Sequence, residues 1–162
     1  HMKNPKEGWN VLRDILETDG IMKIGLYSKI ARKELLEFKR KIDSKYKLKN
    51  KKEIKELRHK IINDNLEKPQ IFDSIDFFST SGFKDLLLNE NEFQFDLIEI
   101  KKILSDLKLH FCGFQIRNHN IKNEVFKNNE KFDYYNLSDW HYFEEKNPVT
   151  FHGMYQFWCQ KL

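Results

Sequence analysis

Apolar side chains recur at helical spacing in the first stretch of the chain, where Trp9, Leu12, Ile15 and Leu16 follow Pro5. The spacing predicts a helix with Asn4 as N-cap and Pro5 at its first position, ended by Asp19-Gly20 with the glycine in the left-handed conformation. Ile21 to Tyr27 reads as a strand, and helix, tight turn and strand together form the second half of a βαβ unit whose first strand is missing. From Ser28 to Asn65 the pattern is helical, with Ile30, Leu35, Leu36, Phe38 and Ile42 in one segment and Ile54, Leu57, Ile61 and Ile62 in another. The polar run Lys45 to Lys52 separates them, and Lys- and Glu-rich helices with a single apolar stripe serve as a cover.

Pro69 to Ile75 has the composition of a linker, and the hydroxyls of Ser79, Thr80 and Ser81 are placed to cap a helix running through Phe83 to Leu88. Phe93 to Phe95 is short and extended. Asp96 is the expected N-cap of a helix from Leu97 to Leu107, which carries Ile100, Ile103, Leu104 and Leu107 on one face. Leu109 to Ile116 reads as a second strand, followed by a polar, Asn-rich loop from Arg117 to Asn129. A helix around Leu137 to Phe143 has Asn136 or Ser138 as its cap. Met154 to Cys159 is bulky, β-prone and free of charge, the pattern of a strand buried on both faces. Three strands and about six helical segments, with no internal repeat, make the chain α/β.

Composition narrows the classes. With 162 residues, 40% hydrophobic and 14% aromatic content, the chain is long enough for one cored domain and is not disordered. Its net charge of +4 arises from 29 basic and 25 acidic residues, a mixed surface whose only basic concentration is Lys39 to Lys60. Because Lys and Arg alternate there with Glu and Asp, a solvated helical face is expected in place of a nucleic-acid patch. Cys112 and Cys159 lie in apolar runs without metal-ligand spacing, which predicts reduced core thiols and suits the cytoplasm. No uncharged run approaches a membrane span, and no signal-like segment opens the chain. His1-Met2 reads equally as the remnant of a cleaved tag or as native sequence.

The chemistry written in the sequence is sparse. A nucleotide or S-adenosylmethionine site in a Rossmann-like fold needs a glycine-rich turn, and glycines 8, 20, 25, 82, 113 and 153 form no such cluster. There is no P-loop, zinc-ligand spacing or Gly-x-Ser-x-Gly elbow, and no metal site is expected. His59, His110, His119, His141 and His152 are scattered. Cys112 beside His110 or His152 reads as a core thiol in preference to a catalytic pair. Asp139, Glu144 and Glu145 have the spacing of a helix surface, which leaves a general-base role unmarked.

Three segments carry a resemblance. GIMKIGLYSKIAR (Gly20 to Arg32), DFFSTSGFKDLLLNENEFQF (Asp76 to Phe95) and GMYQFWCQK (Gly153 to Lys161) resemble the C-terminal half of bacterial class I S-adenosylmethionine-dependent methyltransferases, in which tetratricopeptide repeats often precede the catalytic domain. The resemblance implies a partial Rossmann-like methyltransferase fold: a three-stranded mixed sheet within a single domain, 1–162, with residues 28–68 as a helical insertion capping the substrate side. The strands would be the fifth, sixth and seventh of the family's sheet, with Met154 to Cys159 between Ile21 to Tyr27 and Leu109 to Ile116. It places Tyr27 and Ser28 beside the transferred methyl group and Arg32 one turn further on. Ser79, Thr80 and Ser81 belong to the second motif, while Trp140 and Phe143 precede the third; capping and core packing remain the alternative roles of all of these. S-adenosylmethionine is the cofactor expected of a full-length protein. No cofactor is expected for this chain alone, because strands one to four have no counterpart in it. The implied partner is the N-terminal methyltransferase half or, through the open edge Ile21 to Tyr27, a second copy. From another class, a non-enzymatic helical interaction domain that uses the aromatic ending and the Lys-rich helices is the alternative.

Overall fold

The computed structural model describes residues 2–43, 50–63, 74–89, 92–116, 121, 123, 125, 132–151 and 153–162. The chain divides into a sheet unit, His1–Arg32 with Asn91–Leu162, and an inserted unit, Lys33–Glu90.

The sheet unit opens with α1, Pro5–Ile15, with Pro at the start and Asn4 extended ahead of it. Asn4 occupies the cap position without capping through its side chain, which donates instead to Glu7 Oε1 at 2.8 Å. At the following turn the left-handed residue is Asp19, φ 62°, and not Gly20 as its type suggested. A short polar side chain tolerates that region. Gly20 is required for another reason: a Cβ there would lie 2.7 Å from the Glu17 carbonyl oxygen.

Strand β1, Ile21–Ser28, leads to the insertion, and the chain returns through β2, Gln94–Phe95. Helix α5, Leu97–Asp106, begins with a full capping box in which the Asp96 carboxylate accepts from the Glu99 N–H and the Glu99 carboxylate accepts from the Asp96 N–H. Strand β3, Leu109–Phe114, helix α6, Leu137–Lys146, and strand β4, Met154–Lys161, complete the unit. Asn136, and not Ser138, caps α6.

The sheet has four strands in the order β2-β1-β4-β3, one more than the sequence pattern predicts. The added strand is two residues long and parallel to the end of β1, with Tyr27 opposite Gln94 and Ser28 opposite Phe95. Strand β4 runs antiparallel to both neighbours, with Ile24 opposite Phe157 and Phe111 opposite Cys159. The last strand therefore lies inside the sheet, as the resemblance implied. It is not buried on both faces, however. Tyr155, Phe157 and Cys159 are buried while Met154 and Trp158 are exposed, the alternation of a sheet covered on one side. On the covered side Trp9, Ile24, Ile100, Leu104, Phe111, Trp140, Tyr155 and Phe157 share one core. Ile121 and Val125 join it from helical positions, inside the stretch expected to be loop; the rest of 117–129 lies outside the described residues.

The inserted unit consists of α2, Lys33–Asp43, α3, Lys51–Asn63, a 3-10 turn, Ile75–Phe78, and α4, Thr80–Leu88. It has a core of its own, built on Ile42, Ile54, Leu57, Ile61, Phe77, Phe83, Leu86 and Leu87. The insertion begins later than the helical pattern suggests, because Ser28 closes β1 and the next four residues turn out of the sheet. The expected break from Lys45 and the expected linker from Pro69 lie mostly outside the described residues. No helix among the described residues is long and apolar enough to cross a membrane.

Candidate functional site

In open α/β sheets ligands bind beyond the carboxyl ends of the parallel strands. Here the carboxyl end of β1 is also where polar groups are buried. Ser28 is the last strand residue; its N–H donates to the Gly153 carbonyl at 2.9 Å and its Oγ accepts from the Ala31 N–H at 3.0 Å. The same hydroxyl donates to Glu144 Oε1 at 2.5 Å, and the Tyr155 hydroxyl donates to Glu144 Oε2 at 2.6 Å. All three side chains have no solvent exposure. A carboxyl group from α6 thus ties the end of β1 to the start of β4 inside the core.

Burial pushes the Glu144 carboxyl above the ordinary carboxylate range, against the opposing pull of the Ser28 and Tyr155 hydroxyls and of His141. Burial, with the Glu144 charge beside it, also drives the Tyr155 hydroxyl up. His141, one turn before Glu145 on α6, has Nε2 at 3.7 Å from Glu145 Oε1, while its Nδ1 is shielded and has no hydrogen-bond partner among the described residues.

A second cluster lies at the same end of β1. The Arg32 guanidinium lies 3.9 Å from the Tyr27 ring centroid and donates from Nη2 to Glu92 Oε2 at 2.8 Å. Its Nε sits 2.7 Å from Glu92 Oε1 as a charge contact with the N–H directed off the hydrogen-bond line. Gly153 stands at φ +88°, a conformation that strains any residue with a side chain, and a Cβ there would only touch Arg32 Cγ at 3.4 Å. Lys29 pairs with Glu99 at 2.5 Å and Asp96 at 3.5 Å. Burial lowers its pKa, and the hydrogen bond and charge of Glu99, helped by Asp96, outweigh that and hold it above the ordinary value.

Of the residues singled out from sequence, Tyr27, Ser28 and Arg32 come together here. Trp140 and Phe143 are core residues beneath them, with the Trp140 indole N–H donating to the Tyr134 carbonyl at 2.9 Å. Ser79, Thr80 and Ser81 belong to the inserted unit, where Ser79 Oγ accepts from the Gly82 N–H at 2.9 Å and so caps α4. Glu92 and Tyr155 were not singled out, and Glu144, named with Asp139 and Glu145 as a possible general base on what read as a helix surface, is buried instead. For Glu144 a signal existed: Leu137, Trp140, Phe143 and Glu144 form one helical stripe, and a carboxylate on an apolar stripe is a buried carboxylate.

Along the rest of β1 the sheet edge is open. Among the described residues β2 covers only Tyr27 and Ser28, and beside Lys23 to Leu26 lies a groove of about 410 Å³ lined by Met2, Trp9, Leu12, Leu26, Phe93 and Met154. The arrangement offers a fixed polar end of β1, neutral overall at Arg32, and an apolar slot alongside it. No group of three His, Cys, Asp or Glu suited to a metal ion occurs among the described residues. No protein-family model and no curated protein sequence matches the chain.

Proposed function

We propose that this chain forms the substrate-side portion of an S-adenosylmethionine-dependent methyltransferase, in which a segment ahead of α1 binds the cofactor. The observation that carries the reading is the position of β4. An antiparallel last strand inserted between two mutually parallel strands is the arrangement the methyltransferase resemblance implies.

The open edge supports the same reading. Trp9 of α1 and the apolar side of α5 enter the same core, on the covered face of the sheet. The crossover from β2 through α5 to β3 moves across that face in one direction, and parallel crossovers are right-handed in about 98% of cases. A strand feeding α1 must move in the same direction and so lies on the β2 side of β1, along Ile21 to Leu26. That is the open edge.

In this reading the fixed turn after β1 orients the methyl acceptor. Bound S-adenosylmethionine would supply an electrophilic methyl group to the acceptor's lone pair, with the electrons of the broken carbon–sulfur bond left on sulfur. Catalysis is then chiefly proximity and orientation, which calls for a rigid wall and no covalent partner. The test is calorimetric titration with S-adenosylhomocysteine of the full gene product and of the 162-residue chain. Saturable binding by the full product and none by the folded chain is expected. A full product that fails to bind overturns the proposal, and binding by the chain alone overturns the assignment of the cofactor to another segment.

A further inference from the structure

Helix α1 is divided round its axis into two halves. At about 3.6 residues per turn, Pro5, Gly8, Trp9, Val11, Leu12 and Ile15 fall on one side, and Lys6, Glu7, Asn10, Arg13 and Asp14 on the other. The sheet unit covers only one margin of the apolar side. Trp9 is buried there, with its ring centroid 6.1 Å from that of Phe157. Next round the helix, Gly8 and Leu12 line the groove beside Lys23 to Leu26. Further round, Ile15 and Val11 are 73% and 61% exposed, and Leu12 itself is 47% exposed. A helix of this pattern normally buries its apolar side, whereas here most of it meets water. Open edge, groove and helix stripe form one continuous apolar surface of the sheet unit.

We infer that a second helix packs beside α1, on Val11, Leu12 and Ile15, and that the segment ahead of α1 carries it together with the strand that pairs with Lys23 to Leu26. The inference rests on the reading above, in which such a segment exists and takes the open edge. A strand in the plane of the sheet accounts for the groove but not for Ile15 and Val11, which stand further round the helix. A helix accounts for them. Packed helices lie about 8–10 Å apart and mesh through ridges at i, i+3 and i+4 spacing, the spacing at which Leu12 and Val11 stand from Ile15. Handedness favours the same carrier. A parallel strand on that edge is itself fed by a crossover, and a right-handed crossover continuing in the same direction lays its helix on the covered face, next to α1. The partner helix therefore has an apolar stripe of its own and no charge at its centre.

The test compares Val11→Lys, Ile15→Lys and the double variant in the full gene product and in the 162-residue chain, by thermal melts and amide hydrogen exchange. In the chain both positions lie in water, and Tm is expected to move by no more than about 2 °C. In the full product the double variant sets charge against an apolar partner, and a fall of about 5 °C or more is expected. The amides of Lys23 to Leu26 that point away from β4 should exchange on the order of a hundredfold more slowly in the wild-type full product than in the chain. Equal shifts in the two proteins, or none in either, overturn the inference, as does equal exchange at those amides. A 162-residue chain that is dimeric by light scattering and monomeric as the double variant assigns the stripe to a second copy and also overturns it. A full product that shows the expected shifts but binds no S-adenosylhomocysteine keeps the helix and loses the cofactor assignment.

Discussion

The Glu144 carboxyl makes the stability of the sheet unit depend on pH in a direction opposite to that of most carboxylates. Its pKa is raised in the folded chain, first by burial, so between its unfolded value and its folded value the native state holds a proton that the unfolded state has released. The unfolded state binds fewer protons there, and stability falls as pH rises through that window. Below the ordinary carboxylate value, near 4.3, the contribution is fully present. Each unit by which the folded pKa exceeds the unfolded one is worth about 1.4 kcal/mol, or roughly 3–5 °C in Tm for a chain of this size. Glu144→Gln retains the shape and can still accept from Ser28 or Tyr155 but cannot titrate. All three tryptophans, Trp9, Trp140 and Trp158, lie in the sheet unit, so tryptophan fluorescence follows its unfolding. Thermal melts of both proteins from pH 4 to pH 8 should give a wild-type Tm that declines relative to that of Glu144→Gln as pH rises. The groups facing Glu144, namely Ser28, Tyr155, His141 and Asp96, are common to both proteins, so their own effects largely cancel. A Tm difference independent of pH, or one that grows in favour of wild type as pH rises, would refute the reasoning: the two hydroxyl donors would then outweigh burial and keep the carboxylate charged.

Tyr155→Phe removes one of the two hydroxyls bonded to Glu144 and should cost about 1–3 kcal/mol, read as a lower urea midpoint by tryptophan fluorescence. An unchanged midpoint would mean that this bond contributes nothing. Gly153→Ala puts a Cβ on a residue at φ +88°, and the backbone strain is expected to cost about 1–2 kcal/mol in the same assay. Ser79→Ala deletes the α4 cap in the inserted unit and should cost about 1 kcal/mol of helix stability by far-ultraviolet circular dichroism. The tryptophan-detected transition should not move with it, because no tryptophan lies in Lys33–Glu90.

How much of this was legible follows from what each element depends on. Strands β1, β3 and β4 declare themselves because each is an apolar run with little charge, and α5 because Asp96 and Glu99 stand at capping-box spacing. Strand β2 does not, since two residues carry no period and are a strand only through their pairing with Tyr27 and Ser28. The exposure of alternate β4 residues was hidden for a different reason. Aromatic and sulfur side chains occupy both parities of GMYQFWCQK, so the run reads as buried on both faces, whereas Trp158 lies on the open side, 6.0 Å from the Lys23 ammonium. Glu144 was hidden by its charge, which argues for a surface until the apolar stripe around it is weighed.

The three resembling segments lie far apart in the chain, yet the first two end and the third begins at the same end of β1. The first supplies Tyr27, Ser28 and Arg32, the second Glu92, Gln94 and Phe95, and the third Gly153 and Tyr155. Convergence on one strand terminus of a buried carboxyl, two buried hydroxyls and a neutralised guanidinium makes that terminus a point where, among the described residues, the fold buries polar groups at a cost. The acceptor wall proposed above would use such a fixed point, because it would work by orientation.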